Sequence, residues 1–205
     1  MQENTAFERS SGMERDKIEA VRDQLLQLQT LYLAINSAGK VPEMGVSPFI
    51  RRADGLYIYT SQLSPHVRDL IDQGEATCML CLDEGDSQNI WARNRLKFSV
   101  EAVEIARDDV NFDKLCDDFT SAHGSTMDLI RNFTDFHMIR LTPRNGVLVL
   151  GFAKAFTVTG ANFDITAHTV SYTHLRAHET REDRGWPRLG EKKKGGGGGG
   201  GGGGG

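Results

Sequence analysis

No window of this 205-residue sequence approaches the ~18 apolar residues that a membrane-spanning helix needs, and no apolar core follows Met1 as in a signal peptide. On that pattern no membrane partner is expected, and the cytoplasm is the expected compartment. Cysteine is scarce. Cys78, Cys81 and Cys116 are the three, which fits reduced, mostly buried thiols. Cys78 and Cys81 are spaced C-x-x-C, but no second pair exists to complete a zinc site. On a strand, residues three apart point to opposite faces, so a redox pair is not expected there either. The chain has no G-x-G-x-x-G, P-loop, G-x-S-x-G or H-E-x-x-H motif and no internal repeat. Dinucleotide, nucleotide, serine-hydrolase and zinc-protease chemistry lose their usual sequence carriers.

What is abundant is misleading. Residues 195–205 are all glycine, preceded by Lys192, Lys193 and Lys194. Such a run buries nothing and loses the most backbone entropy on ordering. Val170 to Thr180, V-S-Y-T-H-L-R-A-H-E-T, resembles a translated transposon-type sequencing adapter. Arg181 to Asp183 fall where a variable index would sit, the Glu-Lys-Lys-Lys step resembles translated poly-adenine, and the glycines resemble poly-guanine. We read 170–205 as a non-native, disordered read-through tail. His174 and His178 then carry no chemistry despite an i, i+4 spacing that suits a metal. The tail holds a net +3, so the formal net charge of −4 for the whole chain becomes −7 for residues 1–169. A nucleic-acid-binding surface would leave a basic footprint, and none is expected.

The remaining ~169 residues suit one domain. Residues 1–13 are polar and expected to lack order, leaving 14–168 as the folded unit. Ile18, Val21, Leu25 and Leu28 recur at helical spacing and predict an amphipathic helix over about 14–28. Thr30 to Asn36 reads as a strand. Met44 to Arg51 and Gly55 to Thr60 read as a hairpin around Ala53-Asp54-Gly55. Ser64-Pro65 starts a short helix that buries Val67, Leu70 and Ile71 and ends at Gly74. Ala76 to Leu82 reads as a continuous apolar strand broken only by Thr77, as in a strand buried on both faces, and Arg95 to Ile105 alternates. Asp108 and Asp109 open a helix with apolar Phe112, Leu115, Cys116 and Phe119. Phe136–Leu141 and Val147–Leu150 read as strands around an Arg144-Asn145-Gly146 turn, with Ala155–Val158 closing the sheet. Together these predict a β-rich α+β fold, a six-or-more-stranded antiparallel split β-barrel with peripheral helices.

Three blocks could carry chemistry. In S-Q-L-S-P-H-V-R-D-L, Ser61, Ser64 and His66 lie where a strand gives way to a helix, a junction whose hydroxyls and free N–H groups suit an anion. Ser64 could equally be only a cap, with His66 on an exposed first turn. In W-A-R-N-R-L, Arg93 and Arg95 could pair bidentately with carboxylates or a phosphate, or simply begin a solvated strand. In D-F-H-M, alternation puts Asp135 and His137 on one face. A carboxylate there can fix the ring N–H of a metal-ligating histidine, although an aspartate at a strand start is more often a cap or turn residue.

The stretch D-F-H-M-I-R-L-T-P-R-N-G-V-L-V-L-G-F-A-K-A-F, Asp135 to Phe156, together with S-x-L-S-x-H-x-R-x-L and A-R-x-R, resembles the HugZ/HutZ-type haem-utilisation proteins. These form a branch of the pyridoxamine-phosphate-oxidase-like, FMN-binding split barrels. The resemblance covers about residues 14–168. It implies a homodimer with pockets at the subunit interface, and oxygen-dependent cleavage of haem to iron and a biliverdin-like tetrapyrrole, with an external electron donor. It implies that Asp135 is the catalytic residue that orients the axial histidine, and that Ser61, Ser64, His66, Arg93 and Arg95 line the cofactor pocket. The axial histidine itself is expected a few residues beyond His168, where the adapter-like tail begins, so the chain as written is expected to lack it. The alternative is an FMN-dependent oxidoreductase using the same pocket, with His66 standing where flavin-binding relatives more often carry lysine or arginine.

Overall fold

A computed structural model describes residues 3–36, 41–87, 89–151 and 154–168. The tail expectation for 170–205 lies outside these described residues. Helix α1 runs Glu3–Leu25, followed by strands β1 (Thr30–Ile35), β2 (Glu43–Arg52) and β3 (Gly55–Ser61). Helix α2 (Pro65–Gln73) leads into β4 (Glu75–Cys81) and β5 (Arg95–Ile105). Then come α3 (Phe112–His123), α4 (Thr126–Ile130), β6 (Phe136–Val149), β7 (Ala155–Thr159) and β8 (Asp164–His168). Every strand pairing is antiparallel. The sheet order is β3-β2-β1-β4-β5-β6-β7-β8, and an extra β3–β6 pairing closes β1 to β6 into a six-stranded barrel. This is the β-rich split-barrel architecture read from the sequence.

Alternation along the strands fills the barrel. Leu31, Leu33 and Ile35 of β1 point inward with Cys78 and Leu80 of β4 and Leu96, Phe98 and Val100 of β5, all at most 1% exposed. Strand β4 therefore buries one face rather than the two its apolar run suggested; its other face carries Glu75, Thr77, Met79 and Cys81, exposed or half-buried. Apolar sequence is not by itself burial, because a barrel wall has an outside. Helix α1 lays Ile18 and Leu25 on this core, and Leu26 follows just past its end. The helix begins at Glu3, well before the predicted start near 14.

The largest departure is in β6. Instead of two strands about a turn, Phe136–Val149 is one strand. Its first part pairs with β3 (Leu56↔Leu141 to Ser61↔Phe136), its last part pairs with β7, and β5 runs along its other side throughout. The register with β5 slips between Phe98↔Gly146 and Val100↔Pro143, so Arg144 and Asn145 oppose Ser99 alone. Arg-Asn-Gly is thus a β-bulge, and bulges bend and re-phase a strand. That bend releases β6 from β3 and hands it to β7. Gly146 serves close packing rather than a turn: a Cβ there would lie 2.6 Å from Lys97 O and 2.8 Å from Phe98 Cβ.

Strand β8 was not anticipated. It follows a turn at Gly160–Phe163 in which Phe163 takes φ 53°, a conformation rare for a bulky residue. Burial holds it there, with its ring edge-on to Phe98 at 4.8 Å between centroids. A second apolar cluster lies on the outside of β2, β3 and β6. There Ile50, Tyr57, Tyr59 and Met138 meet Phe112, Leu115, Cys116 and Phe119 of α3 and Met127 of α4.

Candidate functional site

The strand directions sort the candidate residues to two ends of the barrel. At one end, β3 finishes at Ser61 and β6 begins at Phe136, and the two residues are register partners. Asp135 lies in the turn just before β6. Ser61 Oγ donates to Asp135 Oδ2 at 2.5 Å, the Gln62 backbone N–H donates to Asp135 O at 2.8 Å, and Leu63 N–H donates back to Ser61 Oγ at 3.1 Å. A hydrogen bond to an ionised acceptor is among the stronger kinds, so carboxylate and main chain of Asp135 are both fixed to the end of β3. Ser61 and Asp135, 74 residues apart in sequence, are brought together.

Helix α2 covers the same end. Ser64 holds the N-cap position ahead of Pro65, but its hydroxyl makes no capping bond. Gly74, left-handed at φ 69°, closes the helix through its N–H to Leu70 O. His66 turns its ring onto Gly45 of β2, where any Cβ would come within 2.2 Å of Nε2. Burial pushes its pKa below the ordinary value, against the opposing charge of Glu43. A neutral imidazole packed on bare backbone fills the lip of the barrel.

The strand alternation expected to put Asp135 and His137 on one face does not extend to Asp135, because β6 begins at Phe136. His137 Nδ1 lies 2.6 Å from Glu104 Oε1. This carboxylate–imidazole pair went unnoticed in the sequence because its members sit 33 residues apart. Its Nε2 is buried and has no hydrogen-bond partner among the described residues. Arg107 was missed as well; it reaches back to the loop that carries Asp135.

At the other end, Arg93 donates from Nε and Nη2 to Leu82 O at 3.0 and 2.5 Å and lies 3.4 Å from Glu84. Arg95 donates to Arg93 O at 3.1 Å. Arg93 borders a cavity of about 400 Å³ with Gln24, Leu82, Ser87, Asn89 and Asn94. Ten residues of β5 separate Arg95 from Ile105, roughly 33 Å of extended chain, so one subunit does not unite Arg93 and Arg95 with Ser61 and Asp135. No cluster of three or more metal-ligating side chains occurs among the described residues.

A six-stranded antiparallel barrel closed by the β3–β6 pairing, with helices outside it, is a split-barrel fold. No protein-family model matches the chain. It is 26% identical over 185 residues to heme oxygenase HutZ of Vibrio cholerae, a match covering 90% of this chain and 100% of that protein. Among solved structures it resembles the HutZ heme storage protein from Vibrio cholerae, with a TM-score of 0.61 and 25% identity over 64% of this chain and 94% of that one. It also resembles Campylobacter jejuni ChuZ, with a TM-score of 0.64 and 27% identity over 76% of this chain and 62% of that one. In sequence and in fold the chain is thus similar to the HutZ-type split-barrel proteins.

Proposed function

We propose that this chain serves haem utilisation: it binds haem and, with oxygen and an external electron donor, cleaves it to release iron and a biliverdin-like tetrapyrrole. The observation that carries the reading is the match along the entire length of heme oxygenase HutZ. Asp135 fits its part. Oδ2 accepts from Ser61, and no hydrogen bond to Oδ1 occurs among the described residues. A carboxylate held this way can accept the ring N–H of an iron-ligating histidine and raise its basicity. That histidine is expected beyond His168, outside the described residues. Haem, when bound, supplies the iron for oxygen chemistry, while the chain binds, orients and shields.

The working unit is a homodimer in the cytoplasm. Tyr32, Met44 and Val46, paired Tyr32↔Val46 across β1 and β2, stand 37%, 65% and 56% exposed on the outer wall and make an apolar patch suited to a second copy. A two-fold partner would also let the Arg93 end of one subunit complete the Ser61–Asp135 end of the other. No helix among the described residues is long and apolar enough to cross a membrane.

Haem titration tests the reading, using this chain beside a version with the natural gene's C-terminus in place of 170–205. The expected result is a Soret band that bleaches with ascorbate in air, strongest in the natural-length version, from a species with twice the mass of the chain tested. Absence of haem binding by the natural-length dimer would sink the proposal. A yellow protein with bound flavin would establish the FMN-dependent alternative instead.

A further inference from the structure

We propose that Arg107 is a positioning residue for this site, locking the loop between α4 and β6 so that Asp135 meets Ser61. The inference rests on the haem reading for the purpose of the loop and on geometry for everything else. Arg107 lies two residues past the end of β5, in a polar turn where an exposed arginine would ordinarily be solvated. Instead its guanidinium is directed at one short segment. Nη1 donates to Arg131 O at 2.9 Å, and Nη2 donates to Phe136 O at 3.0 Å and to Phe133 O. Nη2 also lies 3.3 Å from the Tyr59 hydroxyl, which itself donates to Arg131 O at 3.0 Å. The guanidinium carbon stands 5.4 Å above the Phe112 ring, at a distance that permits a cation–π contact.

These acceptors bracket Asp135. Arg131 and Phe133 precede it, Phe136 follows it, and their carbonyls point to one cation. The arrangement uses what distinguishes arginine from lysine, a rigid fork of five N–H donors in one plane. Nη2 meets two of the carbonyls and the hydroxyl while Nη1 takes Arg131 O, four acceptors for which the three donors of one ammonium are too few. With both flanks pinned, the Asp135 carbonyl is held for Gln62 N–H and its carboxylate for Ser61. Arg107 touches neither reacting atoms nor Asp135 itself. It acts through main-chain carbonyls.

The experiment compares Arg107→Met, which keeps an apolar stem over Phe112, with Arg107→Lys, which keeps the charge, in the full chain. Amide hydrogen exchange is read at Gln62 and, as a control for global stability, at Leu33 in β1. Both variants are expected to speed Gln62 exchange at least tenfold while Leu33 stays within twofold. Measured in the natural-length version, haem affinity should fall by the same factor in Arg107→Met as in Asp135→Ala, and the double variant should fall no further. Unchanged Gln62 exchange, full restoration by lysine, or additive losses in the double variant would each overturn the proposal. If the unmodified chain and its natural-length version both bind no haem, the functional reading fails, and Gln62 exchange still decides whether Arg107 positions Asp135.

Discussion

Phe98 inside the barrel and Leu115 beneath α3 are almost equally buried, at 1% and 2% exposure, yet they belong to cores built in different ways. The interior core draws on β1 to β7 and on α1 and α2, and six strands close around it in a ring of hydrogen bonds. Losing one contact there disturbs a wall that has no free edge along which to relax. The outer core is a lid: two short helices set on the outward residues of β2, β3 and β6. Its rim carries Tyr59, Arg107 and the loop to Asp135. The interior is the larger, closed core, whereas the outer cluster adjoins the segment that leads to Asp135. Such separation lets a site loosen without the barrel opening.

That contrast can be broken by substitution. Phe98→Ala should cost most, about 4 kcal/mol, because it removes a fully buried ring, leaves a cavity and strips Phe163 of its edge-on partner. Chemical denaturation should show the loss, with exchange at Leu33 and Gln62 rising together. Leu115→Ala should cost about 3 kcal/mol, and here Gln62 should exchange faster well before Leu33 does. If Leu115→Ala raised both amides equally, the two cores would be one cooperative unit and the division would be wrong.

Where local chemistry decides, the sequence was legible. The bounds of β5, the Asp54-Gly55 hairpin, the Pro65 start and Gly74 stop of α2 and the four apolar positions of α3 all stand as read. Reading failed where a partner strand decides. Arg144-Asn145-Gly146 has the composition of a turn, and nothing nearby in the chain reveals that Ser99 lies opposite and makes it a bulge. Strand β8 is short and mostly polar, and Ile165 supplies its one large aliphatic side chain. The site divides similarly. Ser61 and Asp135 were named through a family resemblance, since each alone reads as an ordinary turn residue. Arg107 could not be read at all, because its acceptors are main-chain carbonyls 24 to 29 residues away that carry no side-chain signature.

The smallest expected effect sharpens the comparison most. Ser61→Ala deletes one hydroxyl that serves two partners, as donor to Asp135 Oδ2 and as acceptor for Leu63 N–H. Both partners are near solvent at the barrel's end, so water can replace much of what is lost, and the stability cost should be only about 1 kcal/mol. The interior core, on the far side of the β3 wall, should not register the change, and Leu33 exchange should stay put. The Asp135 carboxylate, however, would lose the one side chain that holds it among the described residues, while its carbonyl stays bonded to Gln62. Haem affinity should therefore fall by more than the stability loss would suggest, with Gln62 exchange nearly unchanged. That pattern, the inverse of the one expected for Arg107→Met, would separate orientation of the carboxylate from placement of the loop. A fall in Gln62 protection as large as in Arg107→Met would instead mean that Ser61 and Arg107 hold the loop as a single unit.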